Sequence, residues 1–342
     1  MLLIRMAQPT DLPDLIKLAN TSGGGLTTLP QDEAVLARKL QRAEHTRQHL
    51  QQPGDGLFLF VLEDTDTQKI VGTSGIETAV GLTQPWYTYS VGTIVHASTE
   101  LNIYHQFPTL FLTNDHTGCS ELCSLYLHPD YRHHQAGALL SKCRFLFIAS
   151  QRHLFADKTI AELRGYINHQ GFSPFWEGLG RHFFDMDFSD ADYLSAVSNK
   201  QFIAELMPRY PFYTRFLPQS ARDVIGREHS EAKPARVMLE QEGFRYEGYV
   251  DIFDAGPTLE TYTDQIRAVH ESHRATQPQI DATPARPLLL ANASRTDFRC
   301  LLLNADPSPW HCHDTATAWQ ALQLDSAQQA QRATLYAQGR TP

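Results

Sequence analysis

The sequence predicts an α+β protein: a mixed sheet carrying helices, extended by a second α/β portion and a small C-terminal β-rich segment. Three features predict it. Strand-like and helix-like segments alternate along most of the chain, the pattern of a sheet with helices packed on it. A strongly apolar run, 56–63, and a return strand, 69–77, flank the turn-rich stretch 64–68 and read as a β-hairpin. A third strand, 121–128, passes through Pro129 and a short loop into an apolar helix with Leu139, Leu140, Cys143 and Phe147 on one face. With 342 residues the chain can hold two α/β units, or one unit with appendages.

In order along the chain, residues 2–6 read as a strand. Thr10 is placed to cap a helix whose apolar positions Leu12, Leu15, Ile16 and Ala19 follow the helical period, and Gly23-Gly24-Gly25 breaks it. Pro30 opens a second helix with Leu36, Leu40 and Ala43 on one stripe. After the hairpin, strand-like material recurs at 91–97, 110–113 and 159–167. Ser173-Pro174 is a cap followed by proline at the first helical position. Residues 202–207 read as a buried strand. Residues 234–242 form a short helix closed by Gly243, and 244–253 return as a strand. Residues 271–287 contain three prolines and few large apolar side chains, which is linker composition. Beyond them 288–292 and 298–304 form a small hairpin, and the polar tail after Leu324 is expected to fray. The expected division is therefore 1–190, 191–270, a linker at 271–287, and 288–342. On that division residues 1–270 should fold without the rest.

The formal net charge is −9, with acidic residues spread along the chain. No basic stripe offers a footprint for nucleic acid or an anionic membrane. The longest apolar runs are core-sized and far short of a membrane span. Five cysteines, an odd number without a dense framework, fit reduced thiols in a cytoplasmic protein.

The segment 120–149 carries the chemistry. A loop feeding a helix N-terminus near Gln135–Gly137 presents unpaired N–H groups and the positive end of the helix dipole, which suit a pyrophosphate. Gly137 lets a ligand approach the backbone closely, and Arg132 adds charge. The run resembles the acyl-CoA motif of the GCN5-related N-acetyltransferase (GNAT) superfamily, usually Arg-x-x-Gly-x-Gly/Ala, with Gln135 where the first glycine is usual. A wider set of blocks resembles the arginine N-succinyltransferase family: Gly-Gly-Gly-Leu-Thr-Thr-Leu-Pro (23–30), Val-Gly-Thr-Ile-Val-His-Ala-Ser (91–98), Pro-Thr-Leu-Phe-Leu-Thr-Asn-Asp-His-Thr-Gly (108–118), Ser-Pro-Phe-Trp (173–176), Phe-Ile-Ala-Glu-Leu-Met-Pro (202–208) and Tyr-Val-Asp-Ile-Phe-Asp-Ala-Gly-Pro-Thr-Leu (249–259). The likeness spans about residues 1–305.

The resemblance implies a GNAT-like sheet and transfer of succinyl from succinyl-CoA to the α-amine of L-arginine. Succinyl-CoA would be a co-substrate, with no permanently bound cofactor and no metal. It also implies a homo-oligomer or pairing with a related subunit. By position, Leu125 matches the family's succinyl-CoA contact and His229, in Val-Ile-Gly-Arg-Glu-His-Ser, its active-site proton donor. The chemistry agrees. The amine, with a pKa of roughly 8 or above, must lose protons and the leaving thiolate must gain one, which histidine can manage near neutrality.

Ornithine or another amine as acceptor, and a companion subunit that binds acyl-CoA without turnover, are the alternatives. His116 with Cys119 and Cys123 resembles a metal site only superficially, because no further pair completes a closed set. Cys119 and Cys123 are also possible nucleophiles. Their neighbours Leu122 and Leu125 place them by a buried strand, and the resemblance implies no acyl-enzyme. His311-Cys312-His313-Asp314, in the least family-like tail, is expected at the surface. Asp115, Glu121 and Glu162 are the carboxylates near the motif that could pair a guanidinium. Arg132 and Arg164 are among the cations that could pair the succinyl carboxylate. Trp86-Tyr87-Thr88-Tyr89 could wall a pocket, with core packing as the default.

Overall fold

The computed structural model describes residues 1–21, 28–168, 170–197, 205–280, 286–304, 308–325 and 327–336. Strand β1 (Leu2–Met6) lies beside β2 (Leu57–Asp64), which forms the expected hairpin with β3 (Lys69–Glu77). There follow β4 (Thr88–Ser98), β5 (Ile103–Thr113), β6 (Ser120–Leu127), β7 (Lys158–Glu162) and the two-residue β8 (Phe212–Tyr213). The later strands are β9 (Arg245–Val250), β10 (Pro257–Tyr262), β11 (His273–Thr276), β12 (Leu288–Ala291), β13 (Arg299–Leu303) and β14 (Gln329–Thr334). All fourteen join one sheet in the order β11-β14-β12-β13-β1-β2-β3-β6-β7-β10-β9-β4-β5-β8. Among the described strands only β6 and β7 pair in parallel. The α+β class read from the sequence holds.

Helices α1 (Leu12–Thr21) and α2 (Glu33–His49) cover one face, packing Leu15, Leu18, Leu36 and Leu40 on Leu57, Leu59 and Val61. Helix α3 (Ala136–Ser150) covers the other and is buried nearly all round against Phe58, Phe60, Leu122, Ala161 and Leu259. Strand alternation divides the two faces. A second core gathers Tyr89, Phe175, Trp176 and Ile252 around α4 (Pro174–Gly178), which Ser173 caps as expected.

Several sequence readings change. Helix α2 opens at Glu33 rather than at Pro30, with Asp32 as its cap, accepting from the Val35 amide at 2.9 Å. Before α1, it is the Asp11 carboxylate that accepts from Gln8 N–H, and the helix begins at Leu12 rather than from a Thr10 cap. The Gly23-Gly24-Gly25 breaker and residues 202–204 lie outside the described residues, and the adjoining Glu205 and Leu206 are helical, not strand. Strand β7 stops at Glu162 instead of running to Ile167. The segment 271–287 is not a bare linker: β11 pairs with β14 from His273↔Arg332 to Thr276↔Gln329, and Ala275 and Ile280 are buried. The tail does not fray before β14, whose Ala330 and Ala333 point inward between polar residues.

Candidate active site

The site begins where β6 and β7 separate. They are in register only at Ser120↔Thr159 and Glu121↔Ile160. Beyond that pair β6 continues along β3 while β7 leaves with β10, so a wedge opens between them. A register shift against β3 leaves Ser124 and Leu125 opposite Ser74, and Ser124 takes φ 54°. Such a bulge re-aims the strand locally. The Lys39 ammonium donates to Ser124 Oγ at 2.7 Å, holding the bulge from the α2 side.

The opposite wall is built by one tight loop. Asp254 Oδ2 accepts from Gly165 N–H at 2.6 Å and its Oδ1 from Gly256 N–H at 2.8 Å. A Cβ at Gly256 would lie 2.1 Å from Leu163 O, and one at Gly165 2.4 Å from Asp254 O, so these two backbones can meet only as glycines. The same loop accepts from Gly226 N–H through Ala255 O at 2.9 Å. It therefore pins both the end of β7 and the segment leading to His229. Glu228 bridges to Gly165, and His229 N–H donates to Arg164 O at 2.7 Å. Leu125 and Arg164 each lie four residues past the last β6–β7 pair, Glu121↔Ile160. His229 is thereby tied through its backbone to the segment just past the end of β7. Its Nδ1 accepts from Glu231 N–H at 3.3 Å, which puts the proton of the neutral ring on Nε2.

At the mouth of the wedge, the loop after β6 leads into α3. His134 and Gln135 take φ 47° and 61°, the left-handed conformation in which glycine is favoured, so the turn is tight without the usual first glycine. The C-terminal segment braces it. His311 Nε2–H donates to His134 O at 2.7 Å, while Asn304 Nδ2 donates to His311 Nδ1 at 3.3 Å. Trp310 packs on Tyr131 and His133, with ring centroids 5.2 and 5.4 Å apart. His311 and Cys312 are buried, which corrects the surface reading of that cluster. Arg132 is exposed and donates to Leu127 O at 3.2 Å. At Gly137 a Cβ would meet only Leu127 Cδ2, at 3.8 Å, so protein packing does not demand the glycine.

The remaining candidates separate. Burial pushes the Cys123 thiol up to about 12 and raises that of Cys119, the opposite of what a nucleophile needs. Tyr89 packs in the core edge-on to Phe175 and Phe212. Asp115 accepts from the Tyr249 hydroxyl at 2.9 Å. Among the described residues no group of three or more His, Cys, Asp and Glu could hold a metal ion. His116 instead meets Glu260, a pairing with no local sequence signal.

A sheet split with a helix N-terminus at its mouth offers unpaired backbone groups to an extended, anionic ligand, and the comparisons with known proteins make the chain an acyltransferase. A family model described as arginine N-succinyltransferase beta subunit matches residues 2–268, and the chain belongs to that family. The arginine N-succinyltransferase of Yersinia pseudotuberculosis serotype O:3 (strain YPIII) is 49% identical over 345 residues, covering 98% of this chain and 99% of the relative. That of Escherichia fergusonii is 48% identical, with both chains fully covered. The solved structure of subunit AI of the arginine/ornithine succinyltransferase of Pseudomonas aeruginosa matches with a TM-score of 0.88 at 34% identity, over 98% of this chain and 99% of that one. Among the described residues no helix is long and apolar enough to cross a membrane.

Proposed function

We propose that the protein transfers succinyl from succinyl-CoA to the α-amine of L-arginine, giving N2-succinylarginine and coenzyme A. The observation that carries this reading is the β6–β7 wedge, with the Leu125 backbone on one wall and His229 on the other. In this reading the pantetheine arm lies along β6 at Leu125, borrowing backbone N–H and C=O groups much as an added strand would. The pyrophosphate meets the α3 N-terminus, where Gly137 keeps the approach open and Arg132 supplies charge. The amine attacks the thioester directly, and the His229 Nε2 proton goes to the departing sulfur. Succinyl-CoA enters and leaves as a co-substrate. Five buried free thiols suit a reducing, cytoplasmic setting. The matching family model is described as a beta subunit and the Pseudomonas relative as subunit AI, which supports a homo-oligomer or a pairing with a related subunit.

Arg164 is our candidate for the distal succinyl carboxylate. It stands level with Leu125 in the wedge, and its Nε is buried without a hydrogen-bond partner among the described residues. A charge-assisted hydrogen bond contributes roughly 1.5–3 kcal/mol, which is about one to two decades of preference for succinyl-CoA over acetyl-CoA. Coenzyme A release by the purified chain, over a panel of amines and acyl-CoAs, tests both the acceptor and the donor. Ornithine belongs in that panel, because the Pseudomonas relative is named for both amines. Arginine and succinyl-CoA should give the highest kcat/KM, and Arg164→Gln should bring the two donors to near parity. Equal use of both donors by the unaltered chain would remove the carboxylate pocket from the reading.

The brace on the pyrophosphate loop makes a separate expectation. His311→Ala removes one hydrogen bond to His134 O, a net loss of about 0.5–1.5 kcal/mol, and frees a turn that two non-glycine residues hold in the left-handed region. KM for succinyl-CoA should rise about two- to tenfold at nearly constant kcat. An unchanged KM in a folded variant would show that the loop keeps its shape unaided.

A further inference from the structure

We propose that His116 is a second catalytic residue, the base that takes a proton from the acceptor amine at Nδ1. The proposal rests on the acyl-transfer reading above and adds a residue to it. His116 is 1% exposed and sits in the turn before β6. Its Nε2 lies 2.9 Å from Glu260 Oε2, and the other carboxylate oxygen of Glu260 accepts from Lys158 Nζ at 2.7 Å. The ring rests against Tyr249, 4.4 Å between centroids, and the Tyr249 hydroxyl is held by Asp115. Its Nδ1 is buried and has no hydrogen-bond partner among the described residues.

These contacts fix the tautomer. The hydrogen bond from His116, followed by the pairing with Lys158, holds the Glu260 carboxylate below its usual range, so Glu260 is ionised at neutral pH and can only accept. The Nε2 atom therefore carries the hydrogen, and Nδ1 of the neutral ring is a lone pair enclosed by protein. A buried polar atom left without a partner is costly and rare, and invites an explanation in function. A carboxylate on one ring nitrogen and an unpaired lone pair on the other is also the arrangement that orients a histidine base and stabilises it once protonated.

Sheet register locates the dyad. Glu260 is opposite Ile160, and Ile160 is in register with Glu121, so the three side chains share one face beside the origin of the wedge. Their neighbours Leu259, Ala161 and Leu122 belong to the core under α3, on the other face. A thioester threaded through the wedge from the α3 side meets its acceptor on the His116 face. The arginine α-ammonium then gives one proton to Nδ1, and the freed lone pair forms the C–N bond to the thioester carbonyl carbon. The C–S bond breaks with its electron pair on sulfur. The second amine proton reaches that sulfur by way of His229, and His116 returns its own to solvent as the products leave.

Glu260 on β10 and Tyr249 on β9 meet the His116 ring directly; Lys158 on β7 lies behind Glu260, Asp115 holds the Tyr249 hydroxyl, and Cys119 N–H donates to His116 O in the same turn. The test is His116→Gln, which keeps an N–H for Glu260 but carries no basic nitrogen. With arginine near pH 7, kcat/KM should fall about two to four decades, and it should climb towards wild type as pH rises and the amine deprotonates unaided. With hydroxylamine, which is unprotonated at pH 7, the variant should keep most of its activity. His116→Ala with added imidazole provides a second, independent reading, regaining turnover with arginine if a base is what was lost. A uniform loss with both nucleophiles, flat in pH and deaf to imidazole, overturns the proposal in favour of a structural dyad, as does near-normal arginine turnover. If the unaltered chain releases no coenzyme A with any nucleophile, the acyl-transfer reading itself has failed.

Discussion

His229→Gln is expected to lose about two to four decades of kcat while its melting temperature and its affinity for succinyl-CoA stay close to those of the unaltered chain. The separation follows from how His229 is held. Its position on the wedge wall comes from its backbone, through the N–H donated to Arg164 O, and from Glu228, which is paired with Arg236 at 2.6 Å. Neither contact depends on the imidazole. The side chain caps a short 3₁₀ turn, Ser230–Ala232, by accepting from Glu231 N–H, and loss of a cap costs about 1 kcal/mol. Glutamine can still hydrogen-bond but cannot deliver a proton to a thiolate. A purely structural histidine makes the opposite forecast: a lower melting temperature with residual activity per folded molecule. Measuring kcat and melting on the same preparations distinguishes them, and a folded His229→Gln enzyme with near-normal kcat from pH 6 to 9 would end the assignment.

What the sequence disclosed about this site was chemistry, and what it withheld was register. The hairpin of β2 and β3 was legible because both strands are buried apolar runs with a turn-rich connection, and the helix that became α3 because its apolar residues recur at helical spacing. Strand β14 was not, since its inward side chains are alanines among glutamines and an arginine, too small to stand out as a hydrophobic pattern. Strand β11 was hidden in a proline-rich stretch for the same reason. Leu125 and His229 come from family resemblance, but nothing local to either signals the wedge, because it exists only through which strands pair and where pairing stops. Asp254, Gly165 and Gly256 were missed altogether. The Asp-Ala-Gly run is an ordinary turn signal until a second backbone is seen to cross it. His116 stands beside Cys119 and Cys123 in sequence, while the partner that defines it is Glu260, 144 residues away.

A chain ending at residue 270 is expected to be insoluble or to melt without cooperativity, against the reading of 271–287 as a simple linker. The C-terminal strands complete the core. Strand β13 pairs with β1 at Ile4↔Cys300 and Arg5↔Arg299, and Leu289, Phe298 and Leu302 are buried in the cluster that surrounds α3. The Phe298 ring packs edge-on to Phe60 and Phe147, at 5.5 and 5.1 Å. Burying side chains of this size contributes about 1.5–3 kcal/mol each. Those three alone therefore approach the roughly 5–15 kcal/mol that keeps a domain folded. The cut also strikes a buried charge cluster. Lys142, paired with Glu242 at 2.9 Å, donates to Leu335 O at 2.7 Å, and Arg267, bound to the same carboxylate, reaches Thr334 O at 3.2 Å. Removing 271–342 deprives both cations of those carbonyls and opens the cluster to water on one side, and buried charges stripped of partners are costly. A graded version uses the full chain: Phe298→Ala should destabilise it by about 3–5 kcal/mol, read from chemical denaturation. A soluble 1–270 fragment that unfolds cooperatively near the full chain's midpoint and binds coenzyme A would show instead that α3 and β1 bury their apolar faces without the C-terminal strands.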